Sequence, residues 1–187
     1  MTSVVREDHK HSLIESLKLI PEFSWLVGLP NQFADRLQGD FFKTFPVIYL
    51  DRTGETLSVR KPVMVLNNTC DLPPGHSTMV SVAPVFDLEK YLQKETGKRN
   101  PQSLASYERD IRHNRITELL YVPNLPDFPA GAIVRLDMIC SVASEFLKEA
   151  AESGRRFASF TQNGFYLLLM KLTYHMTRSE SAEVSRI

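Results

Sequence analysis

No stretch of about 18 apolar residues runs through this chain, the length a membrane-spanning helix requires. Its densest apolar segment, Phe165 to Met170, is far shorter. Neither sign of charge is in excess, because 22 Lys and Arg cancel 22 Asp and Glu. That balance excludes a global field drawing the chain to nucleic acid or to a membrane surface, and leaves only local patches to be judged. Cysteine is scarce. Cys70 and Cys140 are the two present, and the opening MTSVVREDHKHS carries no apolar run of signal-peptide type. The expectation is a cytoplasmic protein with reduced thiols and no membrane partner.

What is present is ordinary globular material. At 187 residues and 43% hydrophobic, the chain is long enough for one sizeable core, so a single domain over 1–187 is expected. Leu13, Ile14, Leu17 and Ile20 stand at helical spacing and Pro21 stops them, which predicts an N-terminal helix over 11–20, with Trp25 as a core anchor beyond it. Val-Ile-Tyr-Leu, then Asp51-Arg52-Thr53-Gly54, then alternating Thr-Leu-Ser-Val predict a hairpin of strands 46–50 and 55–59. Strands follow at 63–66 and 79–85. The first is apolar at every position, as expected of a strand buried on both faces or inside a closed barrel.

The character changes at Phe86. Over 88–118 seven basic and five acidic residues leave a charge of plus two, with helices predicted over 87–94 and 101–116 and a break at 97–100. Too few apolar residues occur there for a separate core, so the segment reads as a helical insertion (about 88–116) rather than a second domain. The sheet resumes at 119–122, turns through proline-rich 124–131 and continues at 132–139. Helices over 143–151 and 161–178 close the chain; Phe165, Leu168, Leu169, Leu172 and Met176 make the expected core face of the last.

One polar knot interrupts the apolar strands. Between strands 63–66 and 79–85 lie Asn67, Asn68, Thr69, Cys70 and Asp71, then a Pro-Pro-Gly-His turn ending at His76. Such groups, at the point where a buried strand surfaces, are held by a scaffold and exposed by a loop. Cys70 is a nucleophile only if a cation lowers its pKa, and His76 reaches it only if the turn folds back. The plainer reading is a small packed thiol and an Asx turn at Asp71. One Cys, one Asp and one His at these spacings fit no standard zinc pattern, so neither metal nor cofactor is expected.

Gly39-Asp40, then RKPVMVL from Arg60, VSVAPV from Val80 and GAIVRLDMI from Gly131 resemble the MazF/PemK toxin family, ribonucleases built on an SH3-like barrel. The resemblance covers roughly 39–87 and 117–178. It implies an α+β fold, a small SH3-like barrel from about 39–87 and 117–142, carrying the N-terminal helix, the insertion and the C-terminal helices. It further implies a toxin–antitoxin or phage-defence protein that binds or cleaves RNA as a metal-independent endoribonuclease. The last helix would then line a homodimer interface, and an antitoxin-like protein would be the partner. Metal-free cleavage needs a proton acceptor, a donor to the leaving oxygen and cations for the phosphorane. Arg60 and Lys61 are the candidate cations, Asp71 and His76 the proton carriers, and Cys70 completes the candidate catalytic set. Arg109, Arg112 and Arg115, spaced i, i+3, i+6, are the candidate RNA-binding face of the insertion.

Lys61 stands between Arg60 and the strand proline, a departure from the family that moves Arg60 to the opposite strand face. Two further departures favour an alternative: Val85 stands where the family carries a hydroxyl, and the insertion over 88–118 is long for the family. The alternative is a non-catalytic interaction module binding a protein partner through the helical insertion.

Overall fold

A computed structural model describes residues 36–73 and 75–177. The helix expected over 11–20, Trp25 and the tail after Thr177 lie outside them. The fold is α+β. Seven strands form one antiparallel sheet, β1 (Asp40–Leu50), β2 (Thr56–Val65), β3 (Met79–Asp87), β4 (Leu119–Val122), β5 (Ala132–Arg135), β6 (Cys140–Ala143) and β7 (Arg156–Ser159). The described helices are α1 (Leu88–Thr96), α2 (Pro101–Arg112), α3 (Ser144–Glu152) and α4 (Gln162–Thr177). Strand order is β4-β5-β3-β2-β1-β7, with β6 also on β3, and the sheet is open between β4 and β7. Among the described residues no helix is long and apolar enough to cross a membrane.

The two strands expected at 55–59 and 63–66 are one continuous β2. Pro62 is tolerated because it stands opposite a bulge: Phe42 pairs with Val63 and Phe45 with Lys61, so Lys43 and Thr44 face a single residue. At the hairpin tip the Asp51 carboxylate accepts from Thr53 Oγ1 and from the Thr53 and Glu55 amides at 2.6–3.0 Å. The Thr53 hydroxyl above all holds its pKa below the ordinary carboxylate value. The strand expected over 132–139 is broken. Val85 pairs with Val134 but Val82 with Cys140, and a 3-10 turn at Leu136–Met138 takes up the extra residues. Strand β7, not foreseen, pairs with the start of β1.

Alternation along β2 sends Met64 to one face and Val63 and Val65 to the other, and all three are fully buried. The apolar run therefore reflects a strand buried on both faces. Leu167 and Leu168 of α4 cover the first face; Leu147 and Ala150 of α3 cover part of the second. Helices α1 and α2 cover the rest through Leu88 and Ile111 over Leu119 and Ile133. The buried face of α4 is rotated from the one expected. Gly164, Leu167, Leu168 and Lys171 are buried, whereas Leu169 and Met176 are exposed. Apolar residues ring this helix, so hydropathy does not single out one side; Lys171, whose Nζ donates to the Asn114 and Ile116 carbonyls at 2.6 and 2.5 Å, marks it.

Local signals set the insertion. Asp87 caps α1 by accepting from the Lys90 amide, and Asn100 caps α2 with Pro101 at its first position. Helix α2 stops at Arg112, four residues short of the expected end, because Asn114 turns left-handed at φ 55°. Its carboxamide then accepts from the Tyr121 amide at 2.6 Å and donates to the Tyr121 carbonyl at 3.2 Å. Asn114 thus supplies β4 with the backbone partner that its open edge lacks. Asn114→Ala removes both bonds and places alanine in left-handed backbone, so a loss of about 2 kcal/mol or more is expected on urea denaturation. A loss under about 0.5 kcal/mol would show that the edge does not depend on this residue.

Candidate functional site

The bulge in β1 builds a cleft. Lys43, Thr44, Arg60, Lys61 and Pro62 form its sheet side; Asp127 and Phe128 from loop 123–131, with Phe157 of β7, form its rim, around a volume of about 190 Å³. Thr44 carries φ 58° and Asp127 φ 69°. A β-branched residue in left-handed backbone is a true outlier, and such strain collects at functional positions. Loop 123–131 is held by buried Leu125 and by turns from Phe128 N to Leu125 O (3.0 Å) and Gly131 N to Phe128 O (2.9 Å). Gly131 is required: a Cβ there would lie 2.7 Å from the Tyr121 hydroxyl.

Charge and aromatic surface coincide in the cleft. Lys43 Nζ lies 2.5 Å from the Asp127 carboxylate and 5.2 Å from the centre of the Phe157 ring. Both members of that ion pair are exposed, so it contributes at most about 1 kcal/mol and yields readily to a competing anion. Arg60 is exposed and makes no side-chain hydrogen bond or ion pair among the described residues. Its register partner is Pro46, whereas Lys61 pairs with Phe45. The two cations therefore leave opposite faces of β2, as the position of Lys61 implied. Lys61 Nζ sits 5.1 Å over the Phe86 ring.

The other expected catalytic residues are elsewhere. About 13 Å of strand separates Lys61 from the end of β2, and the polar knot lies beyond that end. There Asn67 Oδ1 accepts from the Ser81 amide, Asn68 Oδ1 from the Cys70 amide and Thr69 Oγ1 from the Gln38 amide. The knot satisfies backbone donors around a 3-10 turn at Thr69–Asp71. His76 does fold back, but its Nδ1 meets the Cys70 carbonyl at 3.0 Å rather than the thiol. A carbonyl only accepts, so Nδ1 carries the proton. Cys70 and Asp71 are exposed, and the Asp71 carboxylate has no partner among the described residues. Cys70→Ser and Asp71→Asn are each expected to change stability by less than about 0.5 kcal/mol and to leave ligand binding at the cleft intact. Loss of binding in either, with the fold preserved, would return the knot to the site.

The expected arginine face of the insertion is not assembled. Arg115 lies beyond the end of α2 and pairs with Asp110 at 3.3 Å. Arg112 binds Glu108 at 2.8 Å and the Tyr121 hydroxyl at 2.9 Å. Burial works against the Arg112 charge, but Glu108 and Tyr121 outweigh it and raise its pKa. Arg109, which donates to Ser106 Oγ at 3.2 Å, is the one of the three without an acidic partner among the described residues.

A second polar cluster escaped the sequence. The hydroxyls of Tyr91 and Tyr107 meet at 3.0 Å, Arg135 binds Asp137 through Nε and Nη2 at 2.6 and 2.5 Å, and Arg99 lies 3.9 Å over the Tyr107 ring. Burial, then the bond to Tyr107, pushes the Tyr91 hydroxyl above its ordinary pKa. Burial would raise Asp137, yet the Arg135 bonds prevail and hold its carboxyl below the usual range. No periodicity signals this cluster, since its members come from α1, α2, the turn between them and the end of β5. Among the described residues no three His, Cys, Asp or Glu side chains are grouped as metal ligands. Comparison with protein-family models and with curated proteins returns no match.

Proposed function

We propose that this chain binds single-stranded RNA through the cleft at the β1 bulge, as a MazF/PemK-like protein of a toxin–antitoxin or phage-defence locus. The observation that carries this is the meeting of Lys43 and Arg60 with Phe128 and Phe157 around one strained cleft. Cations that track a phosphate backbone, beside aromatic faces that stack bases, are how single strands are held without a fixed sequence. Size favours a polymer over a free metabolite. At about 190 Å³ the cleft is smaller than the roughly 300 Å³ of the smallest drug-sized pockets, so it takes one unit of a longer ligand. The antiparallel path from β4 to β7 is compatible with an SH3-like barrel opened between those strands.

Binding has more support than cleavage. Among the described residues Asp127 is the one carboxylate lining the cleft and is engaged by Lys43, and no imidazole of the described residues lines it. The test is fluorescence anisotropy with a long single-stranded RNA, without metal, between about 50 and about 200 mM salt. The reading expects binding that weakens steadily with salt, by about 0.7 in the log–log slope per phosphate contacted. Absence of binding at the lower salt, or binding indifferent to salt, would remove it.

A further inference from the structure

The helical insertion carries hydrogen-bond donors that the fold does not use. Arg135 ends β5 opposite Leu119, which belongs to the buried cluster under α1 and α2. Cross-strand partners share a face, so the Arg135 side chain leaves the sheet on the side where Tyr91 and Tyr107 pack. The two tyrosine hydroxyls, 3.0 Å apart, share one hydrogen bond and leave one O–H unspent. Arg135 commits Nε and Nη2 to Asp137, which fixes the plane of the guanidinium and leaves Nη1 open among the described residues. Arg99, its guanidinium carbon 3.9 Å from the centre of the Tyr107 ring, commits only Nε, to Glu95 at 3.4 Å, and its terminal nitrogens are likewise open among the described residues.

The carboxylates in the same place are paired. Asp137 is bound by Arg135, and Glu95 by Arg99 and by Lys98 at 2.7 Å. Three cations against two carboxylates leave a charge of plus one, and the side chains of Arg99 and Arg135 are 36% and 26% exposed. Unspent donors from the tyrosine pair, a turn and a strand end, beside carboxylates already paired with cations, suit an oxyanion. Their approach from several elements suits a tetrahedral one better than a planar carboxylate.

We propose that Tyr91, Tyr107, Arg99 and Arg135 form a phosphate-binding site distinct from the β1-bulge cleft. Its ligand is a phosphate group, presented either as a free anion or as a unit of nucleic-acid backbone. Asp137 orients Arg135, and the tyrosine pair completes the donor set. The site stands apart from the RNA reading of the cleft and survives its failure.

Isothermal titration of the full chain with inorganic phosphate, and separately with a dinucleotide, tests this against chloride at equal ionic strength. Two variants carry the comparison: Tyr91→Phe combined with Tyr107→Phe, which keeps both rings, and Arg99→Gln at an exposed position whose fold is checked by near-ultraviolet circular dichroism. The expected result is binding of at least one probe, weakened about tenfold or more in both variants. Binding of phosphate itself identifies a free anion as sufficient; binding of the dinucleotide alone identifies the backbone. Should the double variant not fold, Arg99→Gln alone decides. No binding of either probe, or full binding in a folded Arg99→Gln, would overturn the assignment.

Discussion

Arg60→Gln is expected to weaken single-stranded RNA binding by about tenfold or more and to reduce the salt dependence by about one phosphate contact, with stability unchanged. The two halves of that expectation have one cause. Arg60 is exposed and uncommitted among the described residues, so its removal leaves no buried group unpaired. For the same reason its guanidinium meets a phosphate without first breaking an internal pair. Lys61→Gln is the matched control. Its ammonium lies over Phe86 on the other face of β2, so the effect on RNA should be smaller. Lys61 also lines the cleft, so equal losses from both variants would mean that the ligand does not distinguish the two faces of β2.

Phe41→Ala is expected to cost about 3–5 kcal/mol on chemical denaturation, the largest effect of any single change considered. Phe41 is fully buried at the start of β1 and lies edge-on to Phe160 and Phe157, with ring centres 5.2 and 6.2 Å apart. The deletion removes the filling of the core beneath α4 and one support of Phe157, which is also a wall of the cleft. Folded Phe41→Ala protein should therefore bind RNA more weakly than its folded fraction alone predicts. A cost below about 2 kcal/mol would mean that α4 collapses onto the space left behind.

Local chemistry made much of the fold legible. The β1–β2 hairpin announces itself through Asp51 and Gly54, and the insertion helices through Asp87, Asn100 and Pro101, because turns and caps are decided by residues adjacent in sequence. Strand β7 and the early part of β1 gave no such signal; they pair with each other across more than a hundred residues. The candidate site divides along the same line. Arg60 and Lys61 were visible as charges beside a buried strand. Lys43, Asp127, Phe128 and Phe157 look unremarkable in the chain and acquire meaning only where three distant segments meet. In the polar knot Asn67, Asn68 and Thr69 are spent on backbone amides, a task that demands the same side chains as chemistry does.

The bulge at Lys43–Thr44 also sets the phase of everything after it. Phe42 and Phe45 are three apart, an odd spacing that simple alternation would send to opposite faces, yet both enter the same buried cluster. Shortening the chain by one residue at Thr44 would place Phe42 and Phe45 two apart, so strict alternation would keep them on one face and the bulge would be lost with the hairpin pairing intact. One residue removed at Pro46 would instead turn Ile48 and Leu50 inward where Val47 and Tyr49 now pack. The same one-residue change at Gly54, in the exposed tip, disturbs no pairing beyond the turn. Tolerance to insertions and deletions along this arm is thus sharply graded. Variation in length belongs to the tip and to the bulge, and the count of residues from Phe45 to Leu50 is fixed by their pairing with β2.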